Sequence, residues 1–137
     1  MRRVMVVIVA AALALAGCGG DADEAEPAAA GSGAPPVSLE GAVSDHGTKT
    51  ASARMEVELD DFYFGPTYIK ATPGQRITVE LHNEGDAPHT FTLGTIDEEL
   101  QPGAKRTITV TAPQSGSVTF TCRFHLLQGM QGAIFVS

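Results

Sequence analysis

Ser117-Val118-Thr119-Phe120-Thr121-Cys122-Arg123-Phe124-His125-Leu126-Leu127-Gln128-Gly129-Met130-Gln131-Gly132-Ala133-Ile134-Phe135-Val136 reads as two strands and the loop that joins them. Val118, Phe120 and Cys122 alternate with serine and threonine, the period of a half-buried strand. Gly132–Val136 is a second β-rich run that closes the chain. Cys122 ends the first strand on its apolar face, so its sulfur points toward the core side. His125 and Met130 fall in the loop, giving the order C-x2-H-x4-M.

Upstream, the same period recurs between turn residues. Arg54–Asp60, Thr67–Ala71, Arg76–His82, His89–Leu93 and Lys105–Ala112 each place apolar residues on one face, for example Ile77, Val79 and Leu81. Thr72-Pro73-Gly74 and Asn83-Glu84-Gly85-Asp86-Ala87-Pro88 supply turn chemistry between them. Only Ile96–Leu100, short and acidic, is ambiguous between helix and strand. About seven to eight short strands with regular turns predict an all-β, antiparallel Greek-key β-sandwich.

The residues that carry chemistry are His89, Cys122, His125 and Met130. A thiolate and a thioether favour Cu(I), imidazoles suit Cu(II), and a site tolerating both can pass one electron. Cys122 would give the strong bond, His89 and His125 would complete a trigonal plane, and Met130 would sit weakly on the axis. Each residue alone has a plainer reading: a buried cysteine is usually a small core hydrophobe, and a methionine is usually core filler. His82 has that plainer reading, because Leu81 takes the inward face. The four together, at strand ends that share one pole of a sandwich, point to one copper ion. Zinc is chemically possible at a Cys/His site, but a thioether suits copper better.

These segments resemble the cupredoxins, the plastocyanin and pseudoazurin group of small blue-copper proteins. Phe64-Gly65-Pro66, Ile69 and Gly74 are similar to the family's first hairpin region. Asn83 and Pro88-His89-Thr90-Phe91 are similar to its first-ligand segment, and Phe120-Thr121-Cys122, His125, Gly129-Met130 and Gly132 to its ligand loop and last strand. The loop length is plastocyanin-like. The resemblance implies a type 1 copper held by His89, Cys122, His125 and Met130, with the Pro88 carbonyl facing the second axial side. Two positions depart from the pattern. Family members often carry proline before the loop histidine, where this chain has Phe124, and the charged Arg123 follows the ligand cysteine.

The amino-terminal third reads differently. Arg2 and Arg3, then an apolar run from Val4 to about Leu15, form a secretory signal over residues 1–17. Leu15-Ala16-Gly17-Cys18 resembles a bacterial lipobox, which makes Cys18 a lipidation candidate and the membrane a partner through that anchor. Ala, Gly, Pro, Ser and acids dominate residues 18–52, a flexible tether in which His46 is solvated. A coil of roughly 30 residues would let the domain range roughly 30 Å from its anchor. Residues 53–137 remain for one small core.

The chain has two cysteines, so a lipidated Cys18 leaves Cys122 without a disulfide partner. Metal ligation would protect that thiol in an oxidising compartment, and intermolecular pairing is the rival explanation. Removing Arg2 and Arg3 with the signal takes the formal charge of −7 down by two, to −9. Such acidity argues against nucleic acid as a partner. The acidic runs Asp60-Asp61 and Asp97-Glu98-Glu99 read as solvated turns. Phe124, Leu126 and Leu127 either pack the loop or form an apolar collar around an exposed edge of His125.

Three function classes follow. The first is a monomeric one-electron carrier, lipid-anchored on the outside of a bacterial cell, that meets a redox partner protein. The second is an extracytoplasmic copper-handling protein, a chaperone or scavenger, which would favour exposed Met- and His-rich ligands. The third, an enzyme, is disfavoured. Larger copper oxidases use His-x-His motifs, and none occurs in the sequence.

Overall fold

The computed structural model describes residues 36–137. The signal expected over 1–17, the lipidation candidate Cys18 and the tether up to residue 35 lie outside them. Four strands form one sheet: β2 (Arg54–Asp60), β3 (Tyr63–Gly65), β5 (Arg76–Asn83) and β8 (Lys105–Thr111), in the order β3-β2-β5-β8. Six form the other: β1 (Thr48–Thr50), β4 (Tyr68–Ala71), β6 (His89–Leu93), β7 (Ile96–Leu100), β9 (Ser117–Thr121) and β10 (Gln131–Val136), in the order β1-β4-β10-β9-β6-β7.

Side-chain alternation explains the sandwich. Along β5, Ile77, Val79 and Leu81 are buried, while Thr78, Glu80 and His82 are less so. Along β2, Met55, Val57 and Leu59 face the same core. From the six-stranded sheet come Ile69, Phe91, Phe120 and Ile134, all fully buried. Each such side chain contributes roughly 1.5–3 kcal/mol by leaving water. Phe64, Phe91 and Phe120 meet at the centre. Phe64 lies edge-on to Phe120 at 5.0 Å and to Phe91 at 6.0 Å, and Phe91 stacks on Phe120 at 5.0 Å.

The expected all-β sandwich is present, and its sheets are mixed. β1 and β10 run parallel to β4, and β2 runs parallel to β5. Between β2 and β5 the chain visits the opposite sheet to form β4, and so returns in the same direction. The ambiguous segment Ile96–Leu100 is a strand. It pairs with β6 across the two-residue turn Gly94-Thr95, where Gly94 has φ +58°. A left-handed residue suits the twist of such a tight hairpin.

The packed domain begins upstream of residue 53, the start expected from composition. Thr48–Thr50 adds β1 to the sheet edge. Val37 and Leu39 pack on Tyr68, Ala133 and Phe135, on the outer side of β4 and β10. This cover explains why β10 is buried almost continuously instead of alternating. His46 is exposed, as expected, but its ring stacks on Tyr63 at 3.4 Å and its N–H donates to Thr67 Oγ1 at 2.8 Å. Two apolar residues in an Ala/Pro/Gly background leave no periodicity to read.

Asn83 carries the chain from β5 into the loop before β6. Its buried Nδ2 donates to the carbonyls of Ala87 and Leu100, both at 2.9 Å, and its Oδ1 accepts from Gly85 N–H at 3.0 Å. Asn83→Ala strands these groups and should lower stability by about 1–3 kcal/mol in chemical denaturation. Gly132 presents a different constraint, because a Cβ there would lie 2.5 Å from the Thr67 carbonyl oxygen and would strike the Phe120 ring. Gly132→Ala should therefore cost about 1–3 kcal/mol by overpacking. An unchanged unfolding midpoint in either variant would refute the corresponding packing argument.

Candidate metal centre

The antiparallel pairing of β6 with β9 brings the site together. Thr92 stands opposite Thr121, so the start of β6 and the end of β9 share one pole. His89 is the first residue of β6, and Cys122 follows β9 directly. Two further contacts lock this end: Arg123 N–H donates to Thr90 Oγ1 at 2.8 Å, and Thr90 N–H donates to Cys122 Sγ at 3.3 Å. The second bond places a dipole on the sulfur that stabilises negative charge there.

The loop after Cys122 is short and tied to itself. His125 N–H reaches the Cys122 carbonyl at 3.3 Å, and Leu126–Gln128 makes one 3₁₀ turn. Gly129 ends that turn with φ +83°. Met130 N–H then returns to the His125 carbonyl at 3.1 Å, and Cys122 N–H donates to the Met130 carbonyl at 3.0 Å. The C-x2-H-x4-M segment is thus a closed loop that fixes His125 over the end of the sheet.

Three of the four expected ligands converge. Cys122 Sγ lies 3.5 Å from His125 Nδ1 and 3.9 Å from His89 Nδ1, and the two Nδ1 atoms are 3.1 Å apart. An ideal trigonal plane with metal–nitrogen bonds of about 2.0 Å and a metal–sulfur bond of about 2.3 Å has edges of about 3.5 and 3.7 Å. The triangle fits one small ion, and a thiolate with two imidazoles is a donor set suited to copper. Cys122 and His89 are fully buried, and His125 is partly exposed. Met130 is also fully buried, within the main core and bonded through its backbone to both Cys122 and His125.

The ring of His89 is held from its other side. Nε2 lies 2.7 Å from Asp61 Oδ1, and the second carboxylate oxygen accepts from Asp86 N–H at 3.1 Å. Burial pulls the His89 imidazole below its ordinary pKa, against the opposing pull of Asp61. Burial also raises the Asp61 carboxyl, but hydrogen bonds from Asp86, His89 and Ala87 outweigh it and hold the group below its usual value. A neutral His89 and an ionised Asp61 leave the Nδ1 lone pair for the metal.

Asp61 is thus not the solvated turn residue expected from sequence. No local pattern marks it, because its partner is 28 positions downstream. Asp97 is likewise engaged, accepting from Thr92 Oγ1 at 2.7 Å and from Arg123 Nε at 2.8 Å. These two hydrogen bonds lower its pKa. Arg123 is half-exposed and pairs with Asp97 beside the ligand cysteine.

His125 is framed by apolar rings and chains. The Phe62 ring lies 4.4 Å from its own, and Phe124 sits at 6.3 Å. Phe62, Phe124, Leu126 and Leu127 are the large exposed hydrophobic residues among those described, and Leu127 is wholly exposed. A second group that could hold an ion, Glu56, His82 and Glu84, lies on the outer face of the four-stranded sheet. It offers one imidazole and two half-exposed carboxylates and no soft donor.

Known proteins agree with this architecture. Residues 37–136 match the family model of the cupredoxin-like domain. No curated protein matches the sequence. Among solved structures, the reduced auracyanin of the photosynthetic bacterium Roseiflexus castenholzii aligns with TM-score 0.55 and 24% identity, over 64% of this chain and 98% of its own. Auracyanin A, a "blue" copper protein of the green thermophilic photosynthetic bacterium Chloroflexus aurantiacus, aligns with TM-score 0.52 and 17% identity, over 66% and 100%. A multicopper oxidase aligns with TM-score 0.52 and 18% identity, over 61% of this chain and 41% of its own. The structural likenesses establish a shared fold. With a family model spanning nearly the whole described region and a His-Cys-His triangle at the pole of the sandwich, the chain belongs to the cupredoxin-like family.

Proposed function

We propose that the protein is a type 1 copper electron carrier. The observation that carries this reading is the convergence of Cys122 Sγ with the Nδ1 atoms of His89 and His125 at a buried pole. When bound there, copper supplies one-electron Cu(I)/Cu(II) chemistry. Met130, the fourth expected ligand by loop spacing, would supply a weak thioether donor. The protein's own part is rigidity. His89 and Cys122 stand on paired strand ends, and the His125 loop is closed by backbone hydrogen bonds, so the donors keep their places when the charge at the centre changes. The auracyanins that share the fold include a protein described as a "blue" copper protein, which supports the same reading.

The partly exposed His125 is the natural exit for the electron. Phe62 and Phe124 beside its ring, with the exposed Leu126 and Leu127 next in the loop, would give a redox partner an apolar surface to approach. Full burial of Cys122 and His89 favours a retained ion over one that is traded, and so favours electron transfer over copper handling. The lipobox-like Leu15-Ala16-Gly17-Cys18 supports a carrier tethered to the outside of a bacterial membrane.

Adding Cu(II) to the chain from Gly19 onward should give an intense thiolate-to-copper band toward the red end of the visible spectrum, and Cys122→Ala should abolish it. A colourless wild-type protein, or a band that survives Cys122→Ala, would refute the assignment. Leu127→Asp should leave that band in place. It should slow electron self-exchange between oxidised and reduced copies roughly tenfold, the factor that about 1.4 kcal/mol would produce. NMR line broadening in mixed samples measures the rate, and an unchanged rate would remove Leu127 from the contact surface.

A further inference from the structure

We propose that Asp61 is a positioning residue that lowers the reduction potential of the copper through its charged hydrogen bond to His89. The inference rests on the copper-carrier reading and concerns what regulates that same centre.

The contact is built rather than incidental. The His89 side chain is fully buried, the Asp61 side chain is 29% exposed, and they meet at 2.7 Å. The carboxylate is pinned from its other oxygen by Asp86 N–H, so it cannot swing to solvent without breaking that bond. Gly85 keeps the approach open. A Cβ at that position would lie 2.5 Å from Asp61 Oδ1 and 2.8 Å from His89 Nε2, directly against the bonded pair. The neighbouring Phe62 packs on His125, so the turn between β2 and β3 touches both imidazoles of the centre.

The consequences follow from charge. A carboxylate acceptor keeps the His89 proton on Nε2, which presents Nδ1 toward Cys122 and His125. It also makes the imidazole a more basic donor, which favours the more highly charged metal state. Counted with the thiolate, Asp61 gives the pole two negative charges. Cu(II) neutralises both, while Cu(I) leaves one uncompensated. A neutral acceptor in the same place would fix the tautomer but lose this preference.

The test uses the full chain and its D61N variant, each loaded with Cu(II). The substituted amide keeps the size and an acceptor oxygen but removes the charge. The midpoint potential of D61N should rise, and its Cu(II) affinity should fall about 10–100-fold, with a smaller change for Cu(I). A purely structural role would lower both affinities together and leave the potential where it was, which would overturn the proposal. Should D61N fail to fold, D61S, a smaller neutral acceptor, is read in the same way: a raised midpoint potential supports the proposal, and an unchanged potential overturns it. A wild-type protein that takes up no copper overturns the carrier reading, and this inference with it. A blue wild type whose potential matches that of D61N overturns this inference alone.

Discussion

Phe64, Phe91 and Phe120 interlock where the two sheets face each other, and the ligand pole depends on that contact. Phe91 lies two residues beyond His89, and Phe120 two residues before Cys122. Period-2 geometry therefore puts each ligand on the same face as a buried ring. The rings fix the strands, and the strands fix the ligands. Because interiors are close-packed, a shift of one ring would propagate to the sulfur or the imidazole a few ångströms away. Asn83 and the closed loop around His125 extend this stiffness to segments that are not strands.

The pole is also graded in polarity. Its buried side holds the thiolate and an amide dipole from Thr90, and the partly exposed carboxylate of Asp61 bonds His89 from behind. Its outer side, around His125, carries Phe62 and Phe124, with Glu99 at its margin. The Asp61 carboxylate thus acts from behind His89, while Glu99 stands beside Phe124 and His125 at the exposed edge. The Asp97–Arg123 pair stands to one side, close enough to brace the β9 end but exposed enough to contribute little energy.

Much of this was legible in the chain. Arg54–Asp60 and His89–Leu93 are strands with the boundaries that alternation predicts. Donor chemistry and loop spacing pointed to His89, Cys122 and His125, which the fold brings within bonding reach of one ion. What escaped did so for physical reasons. Tyr63–Gly65 and Thr48–Thr50 are too short to show a period. Ile96–Leu100 is acidic on its solvent side, which dilutes a strand pattern. Parallel pairing of β2 with β5 depends on a detour through the opposite sheet, which no local residue records. Asp61 meets His89 only because a hairpin turn and a distant loop arrive at one pole, so its role is visible in space and not along the chain.

The short strand Thr48–Thr50, laid beside β4, has a consequence for how copies of this protein meet one another. A sandwich exposes two edges per sheet, each a row of unpaired backbone groups that invites another chain to add a strand. Here one edge of the six-stranded sheet is the three-residue β1 with Lys49 at its middle, and the other is β7 with Asp97, Glu98 and Glu99. The four-stranded sheet ends in the three-residue β3, followed by Pro66, and in β8, which opens with Lys105 and Arg106. Every edge is therefore short, charged or both, and sheet-to-sheet growth between copies is discouraged. Edges that resist strand addition leave Phe62, Phe124, Leu126 and Leu127 as the large exposed hydrophobic residues among those described.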